Sequence, residues 1–459
     1  MDGLLFDPSE FRGPSPGEVA AAAADSAPQA ALVGRPRLRA PERQQMEMHF
    51  ATLDEMLEPE HPARAIWAAV CGLDLSRWLA EIKAVEGHVG RDATDPRLLV
   101  ALWVYATVQG VGSARRLADY CQKHLAYRWL CGGVSVNHHL LSDFRAQGGE
   151  KWDDLITQIV ASLMNENLVT LNRMAQDGVR VRAHAGKASF RRRETLERCL
   201  TEAREQVENL KSLADDAALS RQERAARERA ARERQERVEE AIRQCEQLQQ
   251  QREERAKTTC QPAKQARAST TDPQARTMKF PDGGFQPGYN VQFSTDTDSG
   301  VIVGVEVVNE GSDAEQLPPM LDQLAKRYED TPDEALVDGG FGTKEAIDDA
   351  AARDCTVYAP LKEEGKQKAK GVDPHAPKRG DSPAVAAWRE RMGTETAKAI
   401  YKLRCQTAEW VNAMCRNRGL WQMPVRGLPK CRTVAVLFAV THNLLQALTL
   451  RARVGEAGG

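Results

Sequence analysis

Apolar residues recur along this chain with two periods, helical and alternating, and each predicts a different kind of element. From 43 to about 165 the spacing is helical. Leu57, Ile66, Trp67, Val70 and Leu73 mark 54–78. Leu98–Val108 is apolar almost all round, which predicts the central helix of an all-α section. Asp95 and Pro96 are placed to cap and open it, and Ser113 to cap a following helix at 114–121. A further helix is expected from Leu140 past Phe144, and an amphipathic one over 152–172. The period then shortens. Val179 and Val181 alternate behind Asp177-Gly178, while Tyr289–Phe293 and Val301–Val308 predict a β-hairpin about a turn at Asp296–Gly300. Ala335-Leu336-Val337 reads as a short buried strand with Asp338 at its tip, beside Gly339-Gly340. Another strand is expected at Thr356–Leu361. Between and after them helices are expected at Leu317–Leu324, with Ser312 or Asp313 as cap, at 344–353, from Trp388 to about Asn417, and at 434–450.

Residues 194–256 are helical in another manner. Leu200, Ala203, Val207 and Leu210, then Val238, Ala241, Cys245 and Leu248, step by three and four, which is coiled-coil spacing. Ser220 and Glu223 match a capping box that restarts a helix after Asp215-Asp216, so an inserted antiparallel hairpin is predicted. Three segments lack a period: 1–42, rich in Ala, Pro and Gly and expected to be a disordered tail, 257–277, a polar linker, and 363–385, a charged mobile loop.

At 459 residues the chain exceeds one core. The domains expected are the tail at 1–42, a helical and DNA-binding domain at 43–170, an α/β catalytic domain at 171–193 and 257–459, and the hairpin at 194–256. A net charge of −2 gives no overall attraction to nucleic acid, so any such contact rests on local patches. Arg180, Arg182, Lys187 and Arg191–Arg193 follow Asp177 with no acid before Glu194, and backbone phosphate contact is the better reading for them. Arg115, Arg116 and Arg145 decorate short helices around a glycine-bearing turn, which fits a DNA-binding helix-turn-helix or a solvated helical face. Ten cysteines without a CxxC pair point to reduced thiols in the cytosol rather than a zinc module or disulfides. No run of about 18 apolar residues is present, and 434–450 reads as too short and interrupted to span a membrane.

The element order after 172 is strand, hairpin, helix, strand, helix, strand, long helix. That is the order of a ribonuclease-H-like α/β fold with a coiled hairpin inserted after its first strand, and such a fold sets the first and fourth strands side by side. Asp177 and Asp338 then become neighbours, and the last long helix has to bring a third carboxylate. At about 100° per residue, Tyr401, Arg404, Glu409 and Arg416 share one broad face of that helix, with Leu403, Trp410 and Met414 buried opposite. Glu409 is the candidate, with Glu395 and Glu390 as fallbacks. Carboxylates gathered without a counter-charge repel, so the cluster has a functional rather than a stabilising logic.

These residues resemble the bacterial insertion-sequence transposases of the DDE class, in the group with a Tyr-Arg-Glu-Lys signature. Asp177-Gly178 resembles the first acidic motif, Asp338-Gly339-Gly340-Phe341 the second, and Tyr401-x2-Arg404-x4-Glu409-x6-Arg416 the third. The Arg-to-Glu spacing is one residue longer than the commonest form, and Arg416 stands where Lys is usual. The stretch 52–147, notably 114–130 and the HHLLSDFR run at 138–145, resembles the helical domain of such proteins. The resemblance implies metal-dependent DNA strand cleavage and strand transfer, with Asp177, Asp338 and Glu409 holding two Mg²⁺ or Mn²⁺ ions. Tyr401, Arg404 and Arg416 would hold phosphates beside them. It implies double-stranded DNA as partner, a homodimer that joins two element ends, no membrane, and a cytoplasmic, nucleoid-associated place. A metal-dependent nuclease and an inactive DNA-binding scaffold are the alternatives.

Overall fold

The structure, a computed structural model, describes residues 50–88, 91–212, 220–259 and 262–457. The expected tail at 1–42 and the expected break at Asp215-Asp216 lie outside the described residues. The helical section runs through α1 (Pro62–Cys71), α2 (Pro96–Val108), α3 (Ala114–Lys123), α4 (Leu125–Cys131), α5 (His138–Gln147) and α6 (Gly149–Asn165). Short helices at Leu53–Met56 and Ser76–Leu79 flank α1, because His61 caps a fresh start at Pro62 and Gly72 ends it. The sequence signals around α2 hold. The Asp95 carboxylate accepts from the Arg97 amide at 2.8 Å, Pro96 occupies the first turn, and every residue from Leu98 to Thr107 is buried. Ser113 and Asn137 cap α3 and α5 through their side chains. One face of α6 buries Trp152, Leu155, Ile156, Ile159, Val160 and Leu163. Its Asp153 receives Arg327 at 2.9 Å and Arg432 at 3.1 Å, which ties the helical section to the α/β part. Residues from Ala51 on form one compact unit.

The sheet has six strands. β1 (Arg173–Arg182) lies at its centre, flanked by β3 (Phe285–Asp296) antiparallel and β5 (Glu334–Leu336) parallel, with β6 (Thr356–Tyr358) parallel beyond β5. The other edge of β3 is shared: β2 (Arg276–Lys279) pairs with its first residues and β4 (Ile302–Val308) with its last. β1 carries Asp177 in mid-strand rather than at an end. Its first turn is set by Asn167 and Leu171, both at positive φ. Of the helices on the sheet, α9 (Leu317–Tyr328) has no side-chain cap, so neither Ser312 nor Asp313 plays the part expected of them. α10 (Lys344–Ala351) is capped by Thr343.

Between β1 and β2 the chain leaves the sheet as α7 (Arg193–Ser212) and returns as α8 (Arg221–Thr259). The ion pairs Arg193–Glu246, Arg204–Glu239 and Arg234–Glu202 run in opposite sequence order, so the two helices are antiparallel. Such exposed pairs add little stability. The buried row of Leu196, Ala203, Val207, Ala231, Val238, Ala241 and Cys245 carries the packing. The Ser220–Glu223 capping box is present with both reciprocal bonds. A two-residue ladder of Phe190-Arg191 with Ala268-Ser269 closes the foot of the pair.

Two segments expected to be loops carry structure. The linker at 257–277 contains the end of α8, that ladder and the start of β2. In 363–385 a helix forms over Glu364–Ala369, and the side chain of Asp381 is buried between Lys344 and Arg389 at 2.8 and 2.7 Å. The C-terminal half continues as α11 (Pro383–Met392), α12 (Glu395–Arg404), a π-helical turn at Cys405–Glu409, α13 (Trp410–Asn417) and α14 (Leu428–Ala457). α14 has 30 residues, longer than the expected 434–450. By length and composition alone it could cross a membrane, but 72% of its apolar window is buried here. Asn443 pins it to β4, accepting from the Ile302 amide at 2.8 Å and donating to the Ile302 carbonyl at 2.7 Å.

Candidate active site

Strand register brings the two aspartates together. In the parallel β1–β5 ladder Ala175 faces Leu336. Continued two residues, that register sets Asp177 abreast of Asp338 on strands about 4.8 Å apart. Asp338 lies just past β5, and its Oδ1 accepts from the Gly340 amide at 2.6 Å, so the glycine turn holds the carboxylate at the strand tip. Asp177 is set by three donors. Arg404 Nη2 lies 2.8 Å from its Oδ1, the Gly178 amide donates to the same oxygen at 3.0 Å, and Asn412 Nδ2 donates to Oδ2 at 2.9 Å. Burial pushes the Asp177 carboxyl above its ordinary range, and the negative charge of Asp338 pushes the same way against Arg404 and Asn412.

Arg404 is the hub. Its Nη1 lies 2.8 Å from Glu409 Oε1, so one guanidinium joins Asp177 to Glu409. Burial works against its charge, but Asp177, Asp338 and Glu409 keep its pKa above the usual value. Its Nε is buried without an acceptor, and Asn412 Oδ1 is buried without a donor, among the described residues. Tyr401, half-buried one turn earlier, has its phenol pKa raised by burial first and by the nearby Asp338 charge as well.

The π turn explains how Arg404 and Glu409 meet. In an α-helix residues three and four apart face one another, and residues five apart do not. A π turn closes its hydrogen bonds from i to i+5, which aligns positions 404 and 409. It also rotates the buried face. The uninterrupted wheel put Arg404 outward and Trp410 inward; instead Arg404, Thr407, Ala408, Val411, Asn412 and Cys415 are buried, Leu403 and Met414 are half-buried, and Trp410 is 40% exposed. Glu409 is half exposed. The fallbacks stand elsewhere on the surface: Glu395 pairs with Lys398, and Glu390 is exposed. Asn412 was missed by sequence reading. Its signal was its position one turn beyond Glu409, on the same side of the helix.

The remaining expected residues scatter. Arg416 is exposed at the end of α13. Arg180 turns to the opposite sheet face, donating to the Gly311 carbonyl at 3.0 Å beside Asp313. Arg182 pairs with Asp282, and Lys187 is exposed on a 3-10 turn. Arg115 and Arg116 are exposed on α3. Arg145 does not face outward. It is buried, lies 4.1 Å from the centre of the Trp103 ring, donates to the Gly112 carbonyl at 2.7 Å, and has its pKa drawn down to about 10 by burial. It braces the helical section, because the apolar wall of α2 gives its guanidinium an aromatic face and a carbonyl.

Asp177 and Asp338 are thus side by side, and Glu409 reaches them through Arg404. Among the described residues no three His, Cys, Asp or Glu side chains stand close enough together to hold a metal ion.

The helical section and the α/β part each match a family model. The Transposase domain (DUF772) matches residues 51–147, and the Transposase DDE domain matches residues 258–444. No curated relative and no solved structure matches the chain. The chain belongs to the DDE transposases of insertion-sequence type. A transposase DDE domain implies a ribonuclease-H-like fold, in keeping with β1 lying beside β5. Asp338, Arg404, Glu409 and Asn412 fall inside the second match, while Asp177 falls between the two.

Proposed function

We propose that this chain cuts and joins DNA at insertion-sequence ends, using Asp177, Asp338 and Glu409, and that it belongs to the Tyr-Arg-Glu-Lys group. The observation that carries the reading is the convergence of the two aspartates by strand register with the Arg404-bridged Glu409 from the helical segment. The donor set fits hard divalent cations, Mg²⁺ or Mn²⁺: carboxylate oxygens only, with Asp177 and Asp338 on adjacent strands, where burial first and the Asp338 charge after it raise the Asp177 pKa. Asp177 and Asp338 would hold the metal, with Glu409 as third ligand. Two such ions would activate the attacking oxygen and neutralise the leaving one in an in-line displacement at phosphorus.

The chain's own groups do the positioning. Arg404 presents a planar fork beside the acids and suits a bidentate phosphate contact. Asn412 and the Gly178 amide fix the Asp177 rotamer. The Tyr401 hydroxyl, a phenol neutral at physiological pH whose pKa burial raises further, is a hydrogen-bond donor to a phosphate oxygen. The exposed Arg416, Lys187, Arg115 and Arg116, and the half-buried Arg182, are assigned to the DNA backbone farther out. The α7–α8 pair reads as the coiled-coil hairpin, which with double-stranded DNA and a second copy would complete the active complex. The expected setting is the cytoplasm, on the nucleoid.

The test is cleavage and strand transfer on a labelled donor end with Mg²⁺. Asp177→Ala, Asp338→Ala and Glu409→Ala each abolish both activities and keep binding in a mobility-shift assay. Full activity in any one of them removes that acid from the mechanism. Cleavage without strand transfer by the unaltered protein favours the nuclease.

A further inference from the structure

Away from the acids, at the foot of α7 and α8, five separate segments meet around a cavity of about 450 Å³. Lys187 and Phe190 come from the turn after β1, Arg252 from the last turns of α8, Arg267 from the segment that follows, Arg276 from β2 and Phe285 from the start of β3. No carboxylate is among the lining residues. Among the described residues Arg252 donates to the carbonyls of Lys264 and Gln265, at 3.2 and 2.8 Å, and Arg276 to those of Pro273 and Ala275 and to Gln244. Their acceptors are neutral and no carboxylate lines the opening, so four positive charges face it, although Asp272 and Glu240 act on Arg276 from outside the lining. In a chain of net charge −2, whose helical hairpin is laced with ion pairs, such a cluster stands out. Phe285 is 59% exposed at its rim, and Phe190 is half-buried in its wall.

Cations that follow a backbone, with an aromatic ring among them, are the chemistry of single-stranded nucleic acid: phosphates on the cations, a base on the ring. A duplex hides its base faces and would use only the charges. We propose that this pocket is a second DNA contact, which takes the backbone of a strand whose unpaired base lies against Phe285. The proposal rests on the transposase reading for the identity of the polymer. Phe285 lies eight residues before Phe293, the partner of Asp177 on β3, so the pocket is on the order of 26 Å from the acids along that strand. That distance is about eight base pairs of duplex, a span over which an end held at the acids could open and deliver an unpaired strand.

The experiment is fluorescence anisotropy on the full chain, with a labelled duplex and the same duplex carrying a single-stranded extension, over a salt series. Arg267, exposed and without a side-chain bond among the described residues, is replaced by Ala, and Phe285 likewise; unchanged melting checks the fold. Arg267→Ala is expected to weaken binding of the extended DNA and to lower the slope of log K against log salt by about one. Phe285→Ala is expected to weaken the extended DNA about fivefold or more and leave the plain duplex unchanged. An unaltered salt slope in Arg267→Ala, or equal effects of Phe285→Ala on both DNAs, including no effect on either, overturns the proposal. Asp177→Ala, measured alongside for cleavage, separates the two failures: normal cleavage there defeats the catalytic reading and leaves the pocket result standing.

Discussion

Replacing Gly178 by alanine puts a methyl group where three polar side chains already sit. Gly178 adjoins Asp177 on β1 and faces the other side of the sheet. A Cβ there would lie 2.5 Å from Asp313 Oδ1, 2.6 Å from Gln292 Nε2 and 2.8 Å from Asn290 Oδ1. Those groups cannot swing away freely. Asn290 and Gln292 are fully buried and donate to Asp313 Oδ1 at 2.6 and 2.7 Å, and Gln176 donates to Gln292 at 3.1 Å. Overpacking a filled site costs about 1–3 kcal/mol. Breaking a hydrogen bond to the Asp313 carboxylate adds about 1.5–3 kcal/mol. Against this, alanine gains only about 0.5–1 kcal/mol over glycine in a strand. The net is a destabilisation of about 2–5 kcal/mol, read as a lowered denaturant midpoint at unchanged slope. Asp313→Ala is destabilising by itself, since it strands two buried amides, but it also vacates the space. The Gly178→Ala penalty should therefore shrink by at least about 1 kcal/mol in that background. A Gly178→Ala protein as stable as the parent, or a penalty unchanged by Asp313→Ala, refutes the reasoning.

Arg404→Ala leaves Asp177 buried beside Asp338 without its cation and should cost about 3 kcal/mol in denaturant unfolding; an unchanged midpoint would mean that the bridge is not stabilising. His442 is buried against the Gly300 carbonyl and the Trp410 ring, and burial lowers its pKa to about 4. Its depressed value means that its contribution is full above about pH 6.5 and is lost as pH falls toward 4, roughly 3 kcal/mol in all. Comparing wild type with His442→Gln across that window isolates it, and parallel pH profiles would count against it. Asp177, Asp272 and Asp296 act with the opposite sign: burial raises each, so their contribution is present at low pH and is lost as pH rises through their folded values, which Asp296→Asn should flatten. Arg145→Ala should lower the melting temperature and leave the salt dependence of DNA binding alone, and a reduced salt slope would restore it to the DNA surface.

Local signals were the legible ones. Asp95-Pro96 before an apolar run fixes α2, and Ser220 with Glu223 marks the return of the hairpin, because both are settled within one helical turn. Asp177 and Asp338 could be paired in advance because strand order constrains which tips adjoin. What escaped depends on distant partners. Asp313 reads as a helix cap by its neighbours, yet the amides of Asn290 and Gln292 capture it from another strand. Asp381 sits in a polar, proline-broken stretch, and only Lys344 and Arg389 make it a buried anchor. Arg145 looks like any surface arginine until Trp103 is folded against it. The face of the helical segment around Glu409 was misjudged because a wheel at constant pitch has no place for a π turn.

That turn also acts as a reserve of length. Deleting Gln406, exposed within it, would leave Arg404 and Glu409 four apart in an ordinary helix, where they still meet. Removing a residue after Glu409 would swing Asn412 about 100° away from Asp177. The segment therefore tolerates a change of spacing at one point and at no other near the acids, so two chains of this kind can differ by a residue there and still present the same three groups.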